Sequence, residues 1–220
     1  MTQYIINKRF LTEVERTDRV LDIAEAFGLG LDDKEFVVFD NQPIDIEQGD
    51  VVYITGQSGS GKSTVLRELA KQMEELGVAD LDGVPLDSTK SLIDQIGHNT
   101  DEGIRLMGIA GINDAYLWCR KPQELSDGQR YRFRLAKIIE SGAKVWTADE
   151  FLAVLDRDTA KVIAFNMQKI ARKIGATLLV ATTHNDMVPD LAPSVVITKG
   201  YREKVKIVRQ PEGFKACTAP

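Results

Sequence analysis

Residues 56–64 read Gly56-Gln57-Ser58-Gly59-Ser60-Gly61-Lys62-Ser63-Thr64, and no other segment of the 220-residue chain constrains it as tightly. An apolar run, Val51-Val52-Tyr53-Ile54, comes just before, and a helix-like run, Val65-Leu66-Arg67-Glu68-Leu69-Ala70, just after. A turn that wraps a phosphate needs glycine, because a Cβ would keep the backbone from closing on the anion. The N–H groups of such a loop, with the N-terminus of the following helix, offer partial positive charge to phosphate oxygens. Lys62 adds a full charge, and the Ser63 hydroxyl is the oxygen ligand that Mg²⁺ takes in this setting. Strand, glycine loop and helix in this register predict a nucleoside triphosphate site built from Gly56, Gln57, Ser58, Gly59, Ser60, Gly61, Lys62, Ser63 and Thr64.

The totals bound the rest. The chain is 43% hydrophobic and 28% charged, with a net charge of −5; it is long enough to bury one substantial core. The acidic balance argues against wholesale nucleic-acid binding and leaves room only for a local basic patch. Cys119 and Cys217 lie far apart without metal-ligand spacing, which predicts a reducing compartment and no role as ligand or nucleophile. No apolar run approaches the ~18–20 residues that cross a bilayer, and the N-terminus lacks a signal-peptide core. The expected location is cytoplasmic.

Taken in order, Tyr4-Ile5-Ile6 is a candidate strand, and Thr17-Asp18 caps a helix with Val20, Leu21, Ile23, Ala24 and Phe27 as apolar positions, ending at Gly28. Phe36-Val37-Val38-Phe39 and Ile44-Asp45-Ile46 read as two strands, with Gly49-Asp50 as the turn into the strand before the glycine loop. Phe27, Phe36 and Phe39 are aromatic candidates for stacking on adenine, although core is the expectation for each. Residues 77–89 read as loop, and residues 97–124 as a small helical lobe with a helix over Glu102–Ile112. In Glu124-Leu125-Ser126-Asp127-Gly128-Gln129-Arg130, Ser126 or Asp127 caps an amphipathic helix carrying Tyr131, Phe133, Leu135, Ile138 and Ile139. Ala143–Ala148 is a strand leading to Asp149-Glu150, where a Mg²⁺-binding and a water-activating carboxylate belong in α/β nucleotidases. A long helix over Asp158–Ile174 stops at Gly175. A buried strand over Thr177–Ala181 leads to Thr182-Thr183-His184, and the end of the chain reads as a hairpin around Gly200.

In this order the pieces resemble the ABC ATPase domain over residues 36–208. Gly56–Ser63 matches its Walker A, Leu125-Ser126-Asp127-Gly128-Gln129 its signature, and Asp149-Glu150 its Walker B with the catalytic glutamate. Leu155-Asp156 resembles the D-loop, His184 the switch histidine and Gln95 the Q-loop glutamine. The glycine loop alone leaves kinases, GTPases and RecA-like motors open; the signature and the histidine narrow the choice. The resemblance implies an α/β fold of P-loop ABC ATPase type: a mainly parallel sheet flanked by helices, an antiparallel β part and a shortened helical lobe. It implies one domain over 1–220, with an N-terminal extension (1–35), a lobe carrying the signature (97–140) and a C-terminal hairpin and tail (190–220). It also implies ATP hydrolysis in a head-to-tail homodimer, each site joining one copy's P-loop to the other's Ser126, Gly128 and Gln129. Ser63, Gln95 and Asp149 are then the candidate metal ligands, and Glu150, His184, Lys62 and Gln95 the candidate catalytic groups, with ATP and Mg²⁺ as the ligands.

The sequence also departs from that family. Asp127 stands where glycine is usual, Trp146 and Thr147 replace plain aliphatics, and Phe151 replaces a proline. From Gln95 to Leu125 is 30 positions (125 − 95), short for a transporter's lobe, and there is no room for the coiled-coil insertion of SMC-type repair ATPases. The runs 125–136 and 149–157 and Ala181-Thr182-Thr183-His184 resemble a group whose ATPase accompanies a GNAT-type acetyltransferase in prokaryotes and phages. That narrower resemblance implies a stand-alone ATPase driving an acyltransferase or a DNA-modifying partner. The competing implications are the nucleotide-binding subunit of a transporter and a nucleic-acid-processing ATPase. Arg130, Arg132, Arg134 and Lys137, like Lys199, Arg202, Lys204, Lys206 and Arg209, read first as solvated faces and second as phosphate or nucleic-acid contacts. Trp118 and Trp146 read as core.

Overall fold

In the computed structural model, residues 2–32, 34–184, 186–200 and 205–210 are described. Cys217, Arg202, Lys204 and the tail from 211 lie outside the described residues, as does the side chain of Phe36. The elements run β1 (Thr2–Thr12), α1 (Asp18–Phe27), β2 (Lys34–Ile46), β3 (Val51–Gly56), α2 (Lys62–Gln72), β4 (Val78–Asp80), α3 (Thr100–Ile109), α4 (Ala115–Trp118) and α5 (Asp127–Ser141). They continue with β5 (Val145–Ala148), α6 (Arg157–Ile174), β6 (Thr177–Thr182), α7 (Val188–Leu191), β7 (Val195–Lys199) and β8 (Lys206–Arg209).

Six strands form one sheet in the order β4-β5-β6-β3-β7-β8. All neighbours are parallel except β7 and β8, the antiparallel hairpin at one edge. β3 lies inside, pairing with β6 on one side and β7 on the other. A parallel strand covered on both faces must be apolar throughout, and Val51, Val52, Tyr53 and Ile54 are all fully buried. Alternation sends Val51 and Tyr53 to one core, with Trp146 of β5, Leu178 and Val180 of β6 and the apolar stripes of α5 and α6. Val52 and Ile54 face the other, with Val65, Leu66 and Leu69 of α2 and with Ile6, Phe39, Ile44 and Ile46. The fold class expected from sequence is the one observed.

The differences are local. Phe36–Phe39 and Ile44–Ile46 are one strand, β2, because β1 pairs with it antiparallel along its length, with register shifts near Lys8. Residues 2–12, read as part of an extension, are the partner that makes this two-stranded sheet, and Gln72 of α2 donates to the Ile5 carbonyl (2.9 Å). β4 lies in the segment read as loop; it completes the sheet beside β5, a pairing that three residues do not announce. α1 forms as expected, capped by Thr17 and ended by Gly28 in the left-handed region. Its apolar positions are not core, however: among them only Ala24 is buried, and Phe27 is 75% exposed. Phe39, by contrast, is core, and Trp146 is fully buried while Trp118 is half-buried. The helix near 102 starts earlier, at Thr100, because Asn99 accepts from the Glu102 N–H.

The glycine loop begins where β3 meets β7. Gly56 has φ +148°, and a Cβ there would lie 1.9 Å from the Lys199 carbonyl oxygen across the strand pair. Gly56→Ala is expected to cost about 2 kcal/mol or more, read as a fall in Tm of roughly 5 °C by calorimetry.

Candidate nucleotide site

Parallel strands put their carboxyl ends at one edge, and ligands of open α/β sheets bind in the crevice outside that edge. Here β3 delivers the glycine loop, β5 delivers Asp149-Glu150 and β6 delivers His184.

The loop is built for an anion. Gly59 and Gly61 take positive φ values (+72° and +98°), and Gly61 is the N-cap of α2, where no side chain caps the helix. The first-turn N–H groups of α2 are therefore without the usual protein acceptor. Lys62 is only 6% exposed, and its ammonium donates to the Gln57 carbonyl (3.0 Å). Among the described residues no carboxylate pairs with it, and a buried ammonium without a counter-charge is costly. The Ser60 hydroxyl is also buried with no hydrogen-bond partner among the described residues. An uncapped helix end, a buried lone ammonium and an orphaned hydroxyl around one loop fit a polyphosphate.

The candidate metal donors are adjacent. Ser63 Oγ donates to Asp149 Oδ1 (2.9 Å), and Arg67 Nη2 lies 3.8 Å from Asp149 Oδ2. A hydroxyl and a carboxylate are hard oxygen ligands that suit Mg²⁺, which takes its remaining ligands from phosphate and water. No group of three or more His, Cys, Asp or Glu among the described residues could hold a metal by itself.

Glu150 and Leu152 are non-glycine residues at positive φ (+51° and +56°), a backbone state that costs on the order of 1–3 kcal/mol each. The turn is held because Phe151 and Leu152 are buried, the Phe151 N–H donates to the Ala181 carbonyl (2.9 Å), and its ring meets Tyr131 edge-on. A proline at 151 could not make that hydrogen bond. The same turn leaves Glu150 exposed at the sheet edge, its carboxylate without a hydrogen bond or ion pair to a described residue.

His184 is half-buried; its carbonyl accepts from the Tyr53 hydroxyl, and its Nδ1 lies 2.8 Å from Arg157 Nη2. Burial, reinforced by Asp186, holds the Tyr53 phenol far above its ordinary pKa, so it stays a donor.

Not every expected residue joins this cluster. The Gln95 amide accepts from the Asp87 N–H (2.9 Å) and donates to the Asp87, Lys90 and Ser91 carbonyls (2.9, 2.9 and 3.2 Å). The hydrogen bonds of its side chain stay in its own loop, and among the described residues none reaches Ser63 or Asp149. The signature residues form a closed capping box: Ser126 Oγ accepts from the Gln129 N–H (3.3 Å), and Gln129 Oε1 accepts from the Ser126 N–H (3.0 Å). Ser126 is thus the cap, while Asp127 turns to Arg130 (2.8 Å) and is neutralised there. A Cβ on Gly128 would stand 2.9 Å from Thr159 Cγ2, so this glycine lets α5 approach α6.

The basic cluster is largely structural. Arg130 also donates to the Pro122 and Leu125 carbonyls, and Lys137 donates to the Gln95 carbonyl (2.6 Å). On the last hairpin Arg209 pairs with Asp50 (2.8 Å), and Lys199 is buried.

Three residues near the site escaped the sequence reading of function. Tyr53 looked like strand, Arg157 like the tail of a motif, and Asp82 like loop. Burial and the neighbouring Asp80 raise the Asp82 pKa, while Arg134 and the Asp149 backbone oppose the rise.

Ser63→Ala removes one hard ligand and the partner of Asp149. Calorimetric titration should show ATP affinity in Mg²⁺ falling roughly tenfold, with a smaller change in EDTA.

Comparison with known proteins agrees with this geometry. A family profile described as ABC transporter matches residues 39–108. The methionine import ATP-binding protein MetN of Clostridium tetani is 26% identical over 88% of this chain and 71% of its own length. MetN of Histophilus somni is 26% identical over 83% of this chain and 62% of its own. The chain thus spans about two thirds of these curated relatives, and as little as 55% of one from Oceanobacillus iheyensis. Among solved structures, the dimeric ATP-binding cassette MJ0796 bound to ADP and Pi superposes with a TM-score of 0.62 at 16% identity, covering 95% of this chain and all of that one. The cbiO1 protein of Clostridium perfringens, part of the cbiONQ transporter complex, gives 0.59 at 22% identity, over 74% of this chain and 78% of that one. No helix among the described residues is long and apolar enough to cross a membrane. The chain has the P-loop fold of the ABC-type ATPases.

Proposed function

We propose that the protein is the ATP-hydrolysing subunit of a transporter, closing head-to-tail on a second copy of itself around Mg-ATP. The observation that carries the nucleotide part is Lys62, a buried ammonium that no carboxylate among the described residues pairs with, beside the uncapped start of α2. Lys62 and the loop N–H groups hold the β- and γ-phosphates, and Ser63 and Asp149 hold the metal. Mg²⁺, when bound, neutralises charge on the phosphate oxygens. Glu150 points a carboxylate without a partner toward the solvent edge, where it accepts hydrogen bonds from the attacking water. His184 donates to the γ-phosphate from the end of β6. Gln95 joins only if its loop gives up the hydrogen bonds to Asp87, Lys90 and Ser91. Ser126, Gly128 and Gln129 of the second copy close the site: within one copy the Ser126 and Gln129 side chains bond to each other's N–H, and among the described residues neither is bonded to its own P-loop.

The transporter assignment is supported by the relatives, which are named as import ATPases, and by likeness to a cassette of a transporter complex. It is the runner-up implication of the sequence, placed ahead of an acetyltransferase partner because the relatives named above carry the names of import proteins. The second reading keeps the short lobe between Gln95 and Leu125 behind it: an ATPase acting on a soluble partner, a GNAT-type acetyltransferase or a DNA-modification system. Co-purification with a membrane subunit from detergent extracts is the expected result; a DNA-stimulated ATPase that loses its stimulation as salt rises would replace it.

Glu150→Gln should bind Mg-ATP as the parent does, hydrolyse it at least about a hundredfold more slowly, and elute as a dimer in Mg-ATP by light scattering. A variant that stays monomeric there contradicts the head-to-tail arrangement.

A further inference from the structure

His184 is held at two points by different parts of the fold. Tyr53 of β3 fixes its carbonyl through the phenol hydroxyl, and Arg157, the first residue of α6, meets its ring at Nδ1 across 2.8 Å. The other side of that guanidinium is anchored: Arg157 Nε lies 3.4 Å from Asp186 Oδ2. A cation in the first turn of a helix opposes the helix dipole, so this position is unfavourable for arginine unless something else uses it. Asp156, the N-cap of α6, and Asp186 supply the compensating charge.

The chemistry of the contact is one-sided. A guanidinium has five N–H donors and no acceptor, whereas a neutral imidazole has one donor nitrogen and one acceptor nitrogen. At this contact Nδ1 must accept, which leaves the single ring proton on Nε2. An imidazolium cannot make the same bond, since both its nitrogens donate. Among the described residues, Arg157 meets the ring and is backed by Asp186, Tyr53 is committed to the His184 carbonyl, and the Thr182 hydroxyl accepts from the His184 N–H.

We propose that Arg157 is a positioning residue that selects the Nε2–H tautomer of His184, so that the ring presents a donor to the γ-phosphate. The contact lies within one copy of the chain and joins the residue after Leu155-Asp156 to the turn after β6. It rests on the reading of His184 as a γ-phosphate contact. An Nδ1–H tautomer would turn an unprotonated, lone-pair nitrogen toward phosphate oxygens, and repulsion would replace a hydrogen bond.

The chain contains only two histidines, His98 and His184, so imidazole ¹⁵N resonances can be assigned on the full chain with a single His98→Gln variant. At about pH 8, where imidazole is ordinarily neutral, the parent should show His184 with Nε2 protonated and Nδ1 unprotonated. Arg157→Met keeps the length of the side chain and removes the donors. It should give a mixture of tautomers and lower kcat for ATP roughly tenfold, with KM changed by less than about twofold. Arg157→Lys, which retains a donor, should recover part of both. A parent protein in the Nδ1–H form, or a tautomer ratio unchanged in Arg157→Met, overturns the proposal; the first of these needs no variant to fold. If His184→Ala hydrolyses ATP as fast as the parent while the tautomer still follows Arg157, the γ-phosphate reading fails and the selection by Arg157 stands.

Discussion

The parallel pairing of β3 with β6 on one side and β7 on the other decides where the rest of the molecule can act. Because β5, β6 and β3 run the same way, the glycine loop, Asp149-Glu150 and His184 all emerge at one edge, although they are about 130 positions apart at the extremes. The pairing also demands Gly56: the backbone of β7 at Lys199 occupies the place where a Cβ would stand. The residue that begins the phosphate loop is thus set by the sheet as much as by the ligand.

Two helix N-termini in this fold are treated oppositely. α2 starts at a glycine with no side-chain cap, beside a buried lysine that no carboxylate among the described residues pairs with. α5 starts at a complete capping box in which Ser126 and Gln129 satisfy each other. The first is unfinished without an anion; the second is stable in isolation and keeps its charge balanced through Asp127 and Arg130. A head-to-tail arrangement fits this division, with the strong anion site on one copy and a weaker, already capped helix end arriving from the other.

Around Asp149 and Glu150 the protein keeps local strain in place by burial. Glu150 and Leu152, both in the left-handed region, are held by the burial of the Phe151 and Leu152 side chains and by the Phe151 N–H, which donates to Ala181 of β6. Phe151, which looked like a departure when only the sequence was considered, is an anchor of the turn that exposes Glu150. Asp127, which stands where glycine is usual and was one of two candidate caps, is half of an ion pair with Arg130. In both cases the partner lies on the same local element or the neighbouring strand, and only the folded geometry identifies it.

The sequence by itself determined the nucleotide loop, the strands β3, β5 and β6 with the helices α2, α5 and α6, and the acidic pair after β5. These depend on short-range physics: glycine at positive φ, apolar runs of strand length, and caps such as Thr17 and Ser126 that bond within three residues. Tertiary structure alone decided which candidates are joined. It put β1 on β2, left Phe27 in solvent and Phe39 in the core, and turned Gln95 into its own loop. It also brought Tyr53, Arg157 and Asp186 around His184. Those outcomes rest on contacts between residues tens of positions apart, where side-chain direction and burial choose among partners that residue type leaves equivalent.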